Sequence, residues 1–383
     1  MKFNFLKMLR PRAQTTNLAG GDAFVETPKL ALASLMLTTT LTDEFYRSGD
    51  ATVRQVKQLV SQIGDPKFAA KAALYARKEA GLRSVTHLVA SELARSVKGQ
   101  AWTATFYDRI VHRPDDALEI MACYLATYGR PIPNALKKGL GSALARFDEY
   151  QLAKYRKTRA DLSLVDLVNL IHPPHTEPLA KLVHGTLAPA ETWETKLTQA
   201  GAAASNDEEL ASLKQDAWST LLATRKLGYF ALLRNLRNIL ASAPNLTDAA
   251  IAMLTDPRLI QRSLVMPFRF STAVEALQQS GLPNAGRVLE ALSLAVDVSL
   301  ENVPRFPGKT LVALDGSGSM RGRPIKIGAL FAATLAKAND ADVMLFSDDA
   351  RYVSITPRDT TLSVATWLED QCAMGGTNFH AIF

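Results

Sequence analysis

Near the end of the sequence, Thr310-Leu311-Val312-Ala313-Leu314-Asp315-Gly316-Ser317-Gly318-Ser319-Met320 sets a carboxylate and two hydroxyls at alternate positions after an apolar run. Asp315, Ser317 and Ser319 are the oxygen donors that a hard divalent cation takes. The apolar run, Thr310–Leu314, reads as a fully buried parallel strand, and the two glycines allow the chain to turn tightly after it. Open α/β sheets bind their ligands at such carboxyl ends of strands. The same residues would also make a serine-rich turn without a metal. Three other segments carry a second kind of chemistry. Ala76–Leu88 holds Arg77, Lys78, Arg83 and His87. Phe147–Lys157 holds Gln151, Lys154, Arg156 and Lys157 beside Tyr150 and Tyr155. Ala231–Asn238 holds Arg234 and Arg237. Lysine and arginine make sequence-independent contacts to phosphate, and arginine, tyrosine and histidine stack on unpaired bases. Plainer roles are open to each: the tyrosines and His87 as core residues, and Arg234 with Arg237 as a solvated face or a salt bridge between repeats.

The elements that must position these groups fall into two patterns. From Thr27 to about Asn302, apolar residues recur at helical spacing almost throughout. Gly64-Asp65-Pro66, Pro114-Asp115-Asp116 and Pro133-Asn134 punctuate the helices. Among those expected are Gln151–Arg156, Leu164–Leu170, Glu208–Ala223, Tyr229–Leu240, Thr247–Leu254 and Ala285–Leu300. Within the first of these, Gln151, Lys154 and Lys157 fall on one helical face. Short helices joined by Gly/Pro breaks suggest antiparallel pairs stacked as a degenerate, HEAT-like array. After Pro304-Arg305-Phe306-Pro307-Gly308 the pattern changes to strand–helix–strand: Thr310–Leu314, Ile325–Ala338, Asp342–Phe346, Arg351–Val353 and Leu362–Leu368. That alternation is α/β. The expected organisation is therefore multidomain: an N-terminal arm over 1–26, an all-α repeat domain over 27–303 and an α/β domain over 304–383.

Composition narrows the function class. The 383 residues carry a net charge of +7, and from Arg305 onward eight basic residues balance eight acidic ones. The excess lies wholly in the helical part, which favours an acidic partner such as nucleic acid. Two distant cysteines, Cys123 and Cys372, make no disulfide framework or zinc spacing and fit a reducing cytoplasm. The Met1–Arg12 segment is too broken for a signal peptide. Leu30–Leu41 falls short of the roughly 18 apolar residues of a membrane span. No phosphate-binding glycine loop, His-Glu-x-x-His or nucleophile elbow is present, so nothing points to catalysis.

The region from about Lys309 resembles the von Willebrand factor A family. Asp315, Ser317 and Ser319 match its metal-ion-dependent adhesion site, and Met374-Gly375-Gly376-Thr377-Asn378 matches its second metal loop, with Thr377 as ligand. The family's third metal loop follows a later strand. The sequence stops at Phe383 before it, so a truncated domain with an incomplete site is expected, holding Mg²⁺ or another divalent cation weakly. The helical part, through the order of its three segments and Ile171-His172-Pro173, resembles the TROVE domain of the Ro autoantigen family, in a bacterial or phage-type member. That resemblance spans about Thr16 to Phe383. It implies a ring of helical repeats closed by the von Willebrand A domain. Such a ring holds structured small noncoding (Y-like) RNA on its outer face and single-stranded or misfolded RNA ends in its hole, for RNA quality control or processing. An exoribonuclease is then a natural partner, and a cytoplasmic, noncatalytic monomer the expected state. Lys154 and His172 match positions on the family's RNA-binding face; Arg156 and Lys157 join them by composition. Arg77, Lys78, Arg83 and Arg234 are the candidates for the hole. The competing expectation is a protein-binding scaffold acting through the metal site.

Overall fold

In the computed structural model, residues 14–16, 22–39, 41–42, 48–97, 99–156 and 162–383 are described. The chain divides into two compact units, 1–190 and 191–383. This division falls inside the helical span read from the sequence.

The first unit opens with a short antiparallel pair, β1 (Gln14–Thr16) and β2 (Asp22–Phe24). Helices follow: α1 (Pro28–Thr38), α2 (Gly49–Gln62), α3 (Pro66–Lys78), α4 (Ser84–Ser96), α5 (Thr103–Ile110), α6 (Pro114–Tyr128), α7 (Asn134–Leu144), α8 (Glu149–Lys154), α9 (Leu164–Ile171) and α10 (Glu177–Val183). Their starts are written in the chain. Thr27, Ser48, Asp65, Asp148, Ser163 and Thr176 each cap a helix by accepting a backbone N–H, which satisfies a donor the helix cannot. Helix α4 is buried on every side from Val85 to Ala94, as a helix at the centre of a core must be. Helices α5 and α7 meet at Gly139, where a Cβ would lie 2.4 Å from the Ala104 carbonyl oxygen and from the Tyr107 Cβ. Only glycine permits that approach.

The second unit begins with α11 (Trp193–Ala203), α12 (Asp207–Ala223), α13 (Tyr229–Ser242), α14 (Thr247–Leu254), α15 (Pro257–Ser263), α16 (Ser271–Gln278) and α17 (Ala285–Val298). Strand β3 (Leu311–Asp315), α18 (Arg323–Asn339), β4 (Asp342–Phe346), β5 (Ala350–Val353) and α19 (Thr361–Asp370) complete it. The sheet order is β3-β4-β5, with β3 parallel to β4 and β5 antiparallel to it. Asp297, near the end of α17, joins the two parts of this unit. Its carboxylate accepts from the backbone N–H and hydroxyl of Thr361, at the start of α19, and from Lys337 of α18 at 3.3 Å. The Pro304–Gly308 stretch therefore does not separate two compact bodies.

One expectation is overturned here. Thr310–Leu314 read as fully buried, yet Leu311 is 41% exposed and Leu314 alone in β3 is buried. The reason is topology. β3 pairs only with β4 among the described residues, whereas β4 lies between two strands and buries Val343 through Phe346.

Candidate functional site

The chemistry-bearing residues of the first unit converge on the start of α6. Pro114 opens that helix and Asp115 and Asp116 occupy its first turn, where the helix dipole favours negative charge. Asp116 is wholly buried. One oxygen accepts the backbone N–H groups of His112 and Arg113, both at 3.0 Å, and Arg77 Nη2 at 2.7 Å. The other accepts Arg83 Nε at 3.0 Å and His87 Nε2 at 3.1 Å. An ionised carboxylate can only accept, so His87 carries its proton on Nε2. Asp115 takes Arg83 Nη2 at 2.6 Å and both Nε and Nη2 of Arg113, at 2.9 and 2.7 Å. Burial alone would raise the Asp116 carboxyl; the bonds from His87 and Arg77 outweigh it and hold the group well below the usual carboxylate range. For Arg83, burial pulls down, but Asp115 and Asp116 outweigh it and raise the guanidinium.

Three of the sequence candidates are thus brought together, with a result the sequence did not suggest. Arg77, with 8% of its side chain exposed, and His87, with 6%, tie α3 and α4 to α6 and present no surface. Arg83 is half-buried at the edge of the cluster. The edge continues outward. The Arg113 guanidinium lies 4.4 Å from the centre of the Tyr155 ring, and Lys154 Nζ lies 5.7 Å from Tyr155 and 5.8 Å from Tyr150. Tyr150 is exposed and Tyr155 half-buried, so neither is a core residue. Lys154 and Arg156 are exposed. Gln151 serves the helix itself: its side-chain oxygen accepts from the Asp148 N–H at 3.1 Å while Asp148 accepts from the Gln151 N–H at 2.7 Å. Lys157 lies outside the described residues. His172 ends α9 in the left-handed conformation, φ 50°, with its ring exposed. Pro173 after it rests on α7 at Gly141, where a Cβ would lie 3.2 Å from the proline Cα. Lys78 is exposed and pairs with Glu79 at 3.0 Å. Arg113, Asp115 and Asp116 were missed as a cluster. Two acids following a proline at a helix start were their signal, and it was read as an opening only.

In the second unit, Arg234 and Arg237 stand on the exposed side of α13, and Arg234 lines a cavity of about 400 Å³. The loop after β3 is held to the loop after α19 by backbone bonds, Gly318 N–H to Gly375 O at 2.8 Å and Met374 N–H to Gly316 O at 2.9 Å. Asp315 accepts the Ser317 N–H at 2.9 Å, and the Ser317 and Ser319 hydroxyls lie 3.1 Å apart. Thr377 is exposed in the second loop. Asp348, read from the sequence as a turn residue, latches that loop: its carboxylate accepts the Gly376 N–H at 2.9 Å. A Cβ on Gly375 would lie 2.2 Å from the same carboxylate. One carboxylate and converging hydroxyls suit a hard cation that keeps several waters.

A family model for the TROVE domain matches residues 29–186 and 183–305. The chain belongs to the TROVE-domain family. Its TROVE region is similar to telomerase protein component 1 of Rattus norvegicus, 30% identical over 150 residues, covering 36% of this chain and 6% of that protein. It is also similar to the RNA-binding protein RO60 of Deinococcus radiodurans, 28% identical over 243 residues, covering 55% of this chain and 44% of that protein. The chain thus spans less than half the length of these curated relatives. The solved structure of the Ro (Rsr) protein of D. radiodurans superposes with a TM-score of 0.64 at 21% identity, over 92% of this chain and 81% of that one. The mostly helical fold with a small mixed sheet is therefore the Ro fold. Among the described residues no helix is long and apolar enough to cross a membrane.

Proposed function

We propose that this protein is a noncatalytic RNA-binding protein. The observation that carries the reading is the exposed edge of the Asp115 cluster, where Arg113, Tyr155, Lys154 and Tyr150 alternate cation and ring within a TROVE domain. Cations supply phosphate contacts and rings supply stacking for unpaired bases. Lys154, Arg156 and His172, all exposed, are the contacts for a structured small noncoding RNA. Single-stranded ends would be held elsewhere in a ring of helical repeats, for quality control or for handing RNA to an exoribonuclease. The cytoplasm is the compartment that fits, from cysteine usage. Arg77 and His87 act by holding the framework. Asp315, Ser317, Ser319 and Thr377 would hold Mg²⁺ in a von Willebrand A-like domain, where it would offer an acidic side chain a coordination site. The alternative reading, a protein-binding scaffold, rests on that loop pair.

The test is RNA affinity at fixed salt for wild type and for Lys154→Ala combined with His172→Ala. Loss of one charge-assisted and one stacking contact costs about 1–3 kcal/mol each. Binding that falls steeply with salt in wild type, and weakens in the double variant with folding intact, supports the reading. Equal affinities reject the assignment of the two residues. An absence of RNA binding at low salt favours the scaffold.

A further inference from the structure

The cavity beside Arg234 has no role in the readings above. It is built wholly within the second unit. Helix α13 contributes Phe230 and Arg234, the turn before α16 contributes Phe268 and Arg269, and α18 contributes Arg323, Lys326 and Phe331. On α18 these last three fall on one face, since residues 323, 326 and 331 recur at helical spacing. Phe268 and Phe331 stack with ring centres 5.0 Å apart and planes at 17°. The Arg269 guanidinium lies 5.2 Å from the Phe268 ring centre. Phe230 and Phe331 each leave 41% of their surface in water. Such rings are normally buried, so the exposure marks a binding surface.

The charges are as telling. Arg234, Arg269, Arg323 and Lys326 form no ion pair with any described carboxylate, and Glu275 is the one acid at the rim. Four unpaired cations repel one another, and α18 adds the positive end of its dipole at Arg323. About 400 Å³ lies within the ~300–1,000 Å³ range of small-ligand sites. A flat apolar group against phenylalanine rings, with negative charge beside it, matches this lining. We infer that the cavity seats an unpaired nucleotide of a single RNA strand, its base on Phe230 and Phe331 and its phosphates on Arg234, Arg269 and Lys326. Glu275 and the Thr272 hydroxyl then face the base edge. This inference rests on the RNA-binding reading and names a second, separate subsite for it.

The experiment uses the full chain, a fluorescein-labelled decauridylate and a small RNA hairpin without single-stranded ends, at the same salt. Phe331→Leu keeps apolar packing and removes the aromatic face; Arg269→Ala with Lys326→Ala removes two cations. The single-strand affinity should fall at least tenfold in each, in line with the known worth of base stacking. The salt slope should drop by about 0.7 for each lost phosphate contact in the cation variant. Hairpin affinity should stay unchanged. Unchanged decauridylate binding overturns the site, as does an equal loss for both RNAs. If wild type binds neither RNA, the RNA reading itself fails. Circular dichroism checks folding. Photocrosslinking of wild type with 5-iodouridine RNA gives an independent reading: adducts on Phe268, Arg269 or residues 323–331 support the site, and adducts confined elsewhere overturn it. Displacement by decaglutamate as effective as by unlabelled decauridylate would assign the cavity to acidic peptides instead.

Discussion

Two groups of four cationic or protonatable side chains show opposite uses of the same residue types. In the first unit Arg77, Arg83, Arg113 and His87 close on Asp115 and Asp116, and every one of them donates to a carboxylate. In the second, Arg234, Arg269, Arg323 and Lys326 surround a cavity with one acid at its rim. A cation beside a buried carboxylate is part of the fold, because taking either partner away leaves an unpaired charge out of water. A set of cations without carboxylates contributes nothing to the fold except repulsion. Its partner has to come from outside.

The sharpest way to break this contrast is Asp116→Asn. It should cost the first unit about 3–5 kcal/mol, since Arg77 stays buried without its counter-charge; urea denaturation followed by circular dichroism measures it, and a cost under about 1 kcal/mol would remove the distinction. Acid should act the same way. The Asp116 carboxyl sits lower in the folded chain than in the unfolded one, so its contribution is whole above the ordinary carboxylate range near pH 4 and is lost as pH falls below it. Melting temperature should therefore drop between about pH 5 and 3 in wild type, and less in Asp116→Asn. Asp148→Ala, which opens the capping box of α8, should cost about 1 kcal/mol, a value typical of local structure and intermediate between the two clusters. Arg269→Ala with Lys326→Ala should leave stability within about 0.5 kcal/mol of wild type, however large its effect on a ligand.

Much of the architecture was legible because it is carried by local signals. Thr247–Leu254 has the same bounds in sequence and structure, and Asp342–Phe346 likewise. Helix α5 was not foreseen. Thr103, Thr105, Phe106 and Tyr107 are poor helix formers, and they are helical because Phe106 and Tyr107 are buried in the core beside the close approach at Gly139. The edge position of β3 was equally invisible, since an apolar run does not say how many strands flank it. At the candidate sites, residue types were readable and pairings were not. Arg77 and Asp116 are 39 positions apart, and no spacing rule connects them. Gln151 looked like a polar contact on a helix face, but its offset of three from Asp148 was also that of a capping box. Asp348 reaches Gly376 across 28 residues, and only the folded chain puts them together.

The end of α9 has a kinetic consequence. His172 holds a left-handed backbone, a conformation that disfavours side chains by about 1–2 kcal/mol, and it is followed by Pro173 and Pro174, whose rings lock their own φ angles. Three successive residues therefore have their backbones set before any partner arrives. A flexible loop would have to be ordered during encounter, slowing capture and weakening the complex. A ligand meeting the exposed His172 ring encounters a segment with that ordering already complete, so association there should need little backbone rearrangement.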